Sequence, residues 1–181
     1  MILIFSGPSA IGKDSTWIRI SEKLGFNRYV PFTTREIRTQ EKNGFDYNFI
    51  TIQEFQEKIK NNEFFEWDYF ANNYYGTDIS ILNLLNQSDI VFHALGKIAL
   101  KLRNKLPQVK LVMLLPSDHS ILVNRLHNRG YLDDNMFFRI NHYFEEETHS
   151  NLFDFVVPNA ESVTDYEAEL LINKILFNKE I

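Results

Sequence analysis

Residues Gly7 to Ser15 read GPSAIGKDS and follow directly on the apolar run Met1-Ile2-Leu3-Ile4-Phe5. Such a run suits a buried parallel strand. Behind the loop, Ser15 to Leu24 carries Trp17, Ile18, Ile20 and Leu24 in an amphipathic pattern. Strand, G-x-x-x-x-G-K loop and helix, in that order, is the context in which such a loop cradles a phosphate chain, and no other feature constrains the chain as much. Gly7 and Gly12 permit backbone angles that a side chain would forbid. The amides of the loop, Ser9 among them, can then converge on phosphate oxygens at the positive end of the following helix. Lys13 adds a mobile charge for the β- and γ-phosphates. An ordinary βα turn with two glycines is the plain alternative, but it has no need of a lysine at that place.

The residue after the lysine of such a loop is normally Ser or Thr, whose hydroxyl ligates Mg²⁺. Here it is Asp14, with Ser15 next. A carboxylate oxygen is a good Mg²⁺ ligand, so Asp14 and Ser15 are the candidate metal ligands, although Asp14 also brings negative charge close to the phosphates.

Apolar runs recur at Ile2–Phe5, Ile90–Phe92, Val109–Leu115 and Phe153–Val157, with helical patterns between them at Ser15–Leu24, Leu95–Lys105, Ser117–Arg129, Asn135–Glu147 and Ser162–Phe177. That alternation predicts an α/β fold, a central parallel sheet flanked by helices. At 181 residues the chain reads as one domain. From about Val30 to Thr77 the rhythm breaks into short pieces such as Asp46–Ile50 and Phe64–Phe70. Thr51-Ile-Gln-Glu54 reads as a capping box and Asn43-Gly44 as a turn. The segment predicts a small mixed α/β insertion. Asn128-Arg129-Gly130 and the residues after it predict the tip of a helical hairpin able to act as a lid. The expected division is a core of 1–29 and 78–181, an insertion of about 30–77 and a lid of about 126–140.

Composition narrows the class. A net charge of -5 gives no general reason to expect nucleic-acid binding. The absence of cysteine removes disulfides and thiolate metal sites. No apolar run approaches the roughly 20 residues that a membrane-spanning helix needs, and the first residues lack the basic region and cleavage site of a secretory signal. The expectation is a cytoplasmic protein, monomer or homodimer, with no nucleic-acid or membrane partner. Most of the 16 Phe and 8 Tyr rings are expected in the core.

Several polar residues stand out. Arg35 and Arg38, three apart in Thr33-Thr34-Arg35-Glu36-Ile37-Arg38, suit bidentate recognition of a phosphate dianion, with Tyr47 able to add its phenol. Taken alone they could equally be solvated surface arginines. Glu66 lies among aromatics in Phe64-Phe65-Glu66-Trp67, either as an acceptor for paired N–H donors of a ligand or as an edge-strand carboxylate facing water. Asn73-Tyr74-Tyr75-Gly76-Thr77 offers two phenols and a hydroxyl around a tight turn. Arg125, Arg129 and Arg139 cluster in the suspected lid, suited to the charge of a transferring phosphoryl group or to balancing Glu145, Glu146 and Glu147. His93 ends a predicted central strand, where open α/β sheets bind ligands; a hydrogen-bonded core histidine fits the same position.

Together GPSAIGKDS, TTREIR, EKNGFDYNF, NNEFFEW, NYYGT, RLHNRG and FDFVVPN, in that order and over nearly the whole chain, resemble the guanylate kinase family. The resemblance implies a P-loop kinase that moves the ATP γ-phosphoryl group onto GMP or dGMP with Mg²⁺. It implies that Arg35, Arg38, Tyr47 and Tyr75 hold the acceptor phosphate, that Glu66 and Thr77 meet the guanine, and that His93 lies in the acceptor site. By the same resemblance, Lys13, Arg129 and Arg139, with Arg125 nearby, stabilise the transferring group, and Asn159 lies by the adenine.

Three places depart from the family pattern. Pro31 stands where a guanine-contacting serine is usual, Val91 and His93 replace acidic residues, and Asp14 follows the loop lysine, as in ribose 1,5-bisphosphate phosphokinases. The alternatives are therefore a kinase for another phosphorylated acceptor, such as ribose 1,5-bisphosphate or a modified purine nucleotide, and a non-catalytic phosphopeptide-binding module.

Overall fold

The computed structural model describes residues 1–8, 13–158 and 164–177; the side chains of Lys13, Asp14, Ser15 and Asp133 lie outside that description. Strand β1 (Ile2–Ser6) is buried along its whole length. It lies at the centre of a five-stranded sheet ordered β2-β7-β1-β8-β9, with β2 Asn27–Arg28, β7 Ile90–His93, β8 Val109–Leu114 and β9 Phe155–Val157. Every pairing is parallel, with Ile2 opposite both Ile90 and Val109. Period-two alternation sends the side chains of β1 to both faces. Ile2 and Ile4 join Phe92, Leu111 and Met113 beneath α4 (Gly96–Lys105), where Ile98 and Leu102 complete the layer. Leu3 and Phe5 join Val91, Val112 and Leu114 beneath α1 (Lys13–Leu24) and α7 (Asp165–Phe177), through Trp17, Ile20, Ala168 and Leu171. A strand covered on both faces must be apolar throughout, which is why the run Met1–Phe5 could be read so directly.

The insertion is a second, mixed sheet ordered β4-β3-β6-β5, with β3 Phe32–Thr33, β4 Asn48–Phe49, β5 Phe64–Phe70 and β6 Asn73–Asp78. The predicted tight turn at Asn73–Thr77 is instead strand β6, antiparallel to both β5 and β3. The actual turn is Ala71-Asn72, at φ 49° and 62°. Helix α2 (Ile52–Lys60) has the predicted capping box between Thr51 and Glu54. It buries Phe55, which stacks on Phe64 at 4.2 Å and Tyr74 at 5.2 Å. The two ends of the insertion are clasped where it leaves the core: the Tyr29 hydroxyl donates to Asp78 Oδ1 at 3.1 Å and accepts the Asp78 amide at 2.8 Å.

Helix α3 (Ser80–Leu85), absent from the sequence reading, returns the chain to the core. The helical hairpin is α5 (His119–Asn128) and α6 (Asp133–Thr148), joined through Gly130 at φ 79°. Asp118 caps α5 by accepting from the Ser120 amide, so that helix begins two residues later than its predicted start at Ser117. The expectation that most aromatic rings lie in the core holds only in part. Phe137, Phe138 and Phe144 of α6 and Tyr166 and Phe177 of α7 are exposed. Among the described residues no helix is long and apolar enough to cross a membrane.

Candidate functional site: an arginine cluster of the insertion and hairpin

The carboxyl ends of β1 and β7 are in register, with Phe5 opposite His93. Ser6 and Gly7 therefore leave the sheet beside His93. Gly7 sits at φ 148°, and a Cβ there would stand 2.4 Å from the Leu114 carbonyl oxygen. Only glycine lets β1 end so close to β8. Lys13, Asp14 and Ser15 form the first turn of α1, at its positive end. Ser9, Gly12 and Asn159 lie outside the described residues. The Ser6 hydroxyl, fully buried at the head of the loop, has no hydrogen-bond partner among the described residues, and neither has that of Thr77.

The two arginines after β3 are held by backbone ties. Thr33 donates its hydroxyl to the Tyr74 carbonyl at 2.9 Å and Thr34 accepts the Tyr74 amide at 2.9 Å, fixing the loop to β6. Arg35 then meets Glu41 through both guanidinium nitrogens, at 2.9 and 2.7 Å. Arg38 donates to the same carboxylate from its amide at 2.9 Å and from Nη1 at 3.3 Å. Its Nη2 donates to the Tyr131 phenol at 3.0 Å. The Arg139 guanidinium lies over the Tyr131 ring at 4.1 Å, and Arg139 is only 8% exposed.

All three guanidiniums act on the Tyr75 phenol. Burial holds the Tyr75 phenol above the usual tyrosine range, with the charges of Arg35, Arg139 and Arg38 offsetting only part of the rise. Burial holds Arg139 below the usual arginine range, with Arg38 and Arg35 adding to the effect. Burial alone would raise the Glu41 carboxyl, but the hydrogen bonds from Arg35 and Arg38 leave it below the usual carboxylate range. Three guanidiniums against one carboxylate leave a net charge of two, which is the charge of a phosphate dianion. The surface-arginine alternative does not describe Arg35, whose side chain is 11% exposed.

Tyr47, Tyr75, Thr77 and His93 are also brought together. They line a narrow cavity of about 10 Å³, room for about one water molecule, with Pro31, Gly76, Ala94, Leu95 and Ile98. His93 is 3% exposed, with its ring 4.7 Å from that of Tyr47 and 5.4 Å from that of Trp17, so it is a buried histidine and a pocket wall at once. Glu66 is opposite Thr77 across the β5–β6 ladder but does not line the cavity. Its carboxylate does not face water either. It is 12% exposed and pairs with Lys105 of α4 at 2.5 Å, with Lys101 at 4.0 Å.

In the hairpin, Arg125 is half-buried on α5 and Arg129 is exposed at its end. Two members of the acidic run, Glu146 and Glu147, make contacts within the fold. Glu146 accepts the Gly96 amide at 3.3 Å and lies 3.6 Å from His142, and Glu147 accepts the Tyr143 hydroxyl at 2.6 Å. Sequence reasoning missed Glu41, Tyr131 and the two α4 lysines. For Glu41 a signal existed, an acid three residues after Arg38 and six after Arg35.

A parallel sheet with a glycine loop after its central strand, a mixed-sheet insertion carrying a dianion-sized cluster of charge, and a helical hairpin supplying a third arginine define a P-loop kinase. The sequence matches the guanylate kinase family over residues 1–170. It is 33% identical over 165 residues to a guanylate kinase of Prochlorococcus marinus (strain MIT 9312), covering 87% of this chain and 88% of that one. A guanylate kinase of Fusobacterium nucleatum subsp. nucleatum is 30% identical over 163 residues, covering 88% of each chain. In fold, the guanylate kinase of Anaplasma phagocytophilum superposes with a TM-score of 0.73 at 24% identity, covering 96% of this chain and 82% of that one. The chain belongs to the guanylate kinase family.

Proposed function

We propose that this protein transfers the γ-phosphoryl group of ATP to GMP or dGMP, giving GDP or dGDP and ADP. The observation that carries the reading is the pair Arg35 and Arg38 on Glu41, with Arg139 brought near them over the Tyr131 ring, a surplus of positive charge that suits an acceptor phosphate. Arg35, Arg38, Tyr47 and Tyr75 hold that phosphate. One of its oxygens attacks the γ-phosphorus while the bond from phosphorus to the β-bridging oxygen breaks and ADP leaves. The acceptor oxygen is already ionised, so positioning and charge carry the catalysis and no general base is required. Lys13, Arg129 and Arg139, with Arg125 near them, stabilise the charge spread over the transferring group. Gly7, Ser9 and Gly12 cradle the ATP phosphates, and Asn159 lies by the adenine.

The donor set fits Mg²⁺. Asp14 and Ser15 supply hard oxygen ligands in the first turn of α1, and the buried Ser6 hydroxyl at the head of the loop has no partner among the described residues. Asp14 and Ser15 would hold the ion, which supplies charge neutralisation at the β- and γ-phosphate oxygens. In this reading the insertion of about 30–77 and the hairpin of about 126–140 close over a core of 1–29 and 78–181, excluding water so that ATP is not simply hydrolysed. The working unit is a cytoplasmic monomer or homodimer.

Guanine recognition rests on Glu66, with Thr77 and His93 beside it. Glu66→Gln removes an acceptor for the paired guanine donors. It is expected to lower kcat/KM for GMP about 10- to 100-fold, the cost of buried donors left unmatched, with the KM for ATP unchanged. Because Lys105 already occupies the carboxylate, Lys105→Met is expected to lower the KM for GMP a few-fold. A pair on a half-exposed lysine contributes under about 1 kcal/mol. Steady-state kinetics with GMP and AMP reads both effects, and unchanged GMP kinetics in Glu66→Gln would exclude the base contact.

One observation favours a second reading. The cavity walls at Pro31, Ala94, Leu95 and Ile98 are apolar, and Glu66 stands outside them. With the Glu66 carboxylate outside that lining, nothing in it matches the paired donors of guanine, which favours a phosphorylated acceptor without that base, such as ribose 1,5-bisphosphate.

A further inference from the structure

Tyr131 follows Gly130, and its amide donates to the Leu126 carbonyl at 3.2 Å, which fixes it at the turn of the hairpin. Its ring packs against the small cluster of Leu122, Leu126 and Tyr143. From there it makes two further contacts of different kinds. Its phenol oxygen accepts from Nη2 of Arg38 in the insertion. Its ring face carries the Arg139 guanidinium at 4.1 Å, a cation–π distance. Burial pushes the Tyr131 phenol up, but the hydrogen bond from Arg38 and the charges of Arg139, Arg38 and Arg35 bring it below the usual tyrosine range. The insertion and hairpin also meet through apolar rings, with Phe70 of β5 lying 5.4 Å from Phe138 and 4.1 Å from His142. Phe70 also lies 5.9 Å from the Arg139 guanidinium, farther than the Tyr131 ring, and it has no hydroxyl to meet Arg38.

We infer that Tyr131 is a positioning residue that links the acceptor-phosphate arginine to the arginine of the hairpin. The inference rests on the reading that the acceptor phosphate binds at Arg35 and Arg38. Arg38 spends one nitrogen on Glu41 and one on Tyr131, so its plane is held from both sides and its remaining N–H groups are aimed before the phosphate arrives. Preorganisation of this kind lowers the ordering cost of binding. The same ring is the nearer of the two that carry Arg139, the other being Phe70, so acceptor binding and placement of the hairpin arginine share one side chain. The two contacts use different atoms and can be separated. Tyr131→Phe keeps the ring and removes the hydroxyl, while Tyr131→Leu removes both.

The experiment is steady-state kinetics of both variants with ATP, Mg²⁺ and GMP, beside small-angle scattering of the ligand-free proteins. Tyr131→Phe is expected to raise the acceptor KM about 5- to 30-fold, as for loss of a hydrogen bond to a charged group, with kcat within about twofold of wild type. Tyr131→Leu is expected to lower kcat about tenfold in addition. A purely structural tyrosine would not give that split, nor would the phenylalanine rescue kcat. Both variants are expected to have a larger radius of gyration than wild type without ligand. Equal kinetics in the three proteins would overturn the inference. If wild type fails to use GMP, the acceptor assignment falls, and scattering then decides: unchanged radii would overturn the link and larger radii would support it.

Discussion

Arg139→Met is expected to lower kcat about a thousandfold, in the range seen when a charge-stabilising arginine is removed from phosphoryl transfer, while the acceptor KM moves far less. Methionine keeps an unbranched stem against the rings of Tyr131 and Phe70, which carry the guanidinium at 4.1 and 5.9 Å. The charge is lost, and with it the guanidinium's donors. The fold should tolerate this, because Arg139 is buried close to two other guanidiniums, and burial with their repulsion already works against its charge. The melting temperature is therefore expected to hold or rise while turnover collapses. Arg38→Ala should do the reverse, raising the acceptor KM. If both substitutions changed KM alone, the division between phosphate-holding and transfer arginines would be wrong.

Gly7→Ala is expected to cost about 3 kcal/mol or more of stability, because two costs fall on one residue. The new Cβ would meet the Leu114 carbonyl oxygen at 2.4 Å, and the backbone stands at φ 148°. Neither β1 nor β8 can yield, since Phe5, Val112 and Leu114 are fully buried between α1 and α7. For a chain of 181 residues that corresponds to a fall of roughly 10 °C in melting temperature, readable by calorimetry. The same shift would spoil the approach to the phosphate loop, so ATP affinity should fall in whatever fraction remains folded. An unchanged melting temperature would show that β1 does not end as closely against β8 as described.

These effects trace back to features of different legibility. The central sheet was readable because strands covered on both faces must be apolar, as Ile2–Phe5 and Val109–Leu114 are. The capping box at Thr51 was readable because it is local. Strand β6 was not, because Asn73–Asp78 is mostly polar and aromatic and is made a strand by partners on both sides, β5 and β3. Helix α3 has no side-chain cap at Ile79 to announce it. In the site, the spacing of Arg35 and Arg38 pointed to a phosphate. Their joint dependence on Tyr131 did not show, because that contact spans 93 positions. Glu66 was legible as a carboxylate among aromatics, but the lysines that claim it come from α4, which packs on β5 only in the folded chain.

The acceptor is the central claim, and turnover of a panel of phosphorylated acceptors with ATP and Mg²⁺ tests it most directly. GMP, dGMP, AMP, IMP and ribose 1,5-bisphosphate would be compared by kcat/KM under one set of conditions. The account predicts GMP and dGMP at least about 100-fold above the rest, the discrimination expected of a carboxylate that matches paired donors. Transfer to ribose 1,5-bisphosphate with GMP idle, or ATP binding with transfer to none of them, would contradict it.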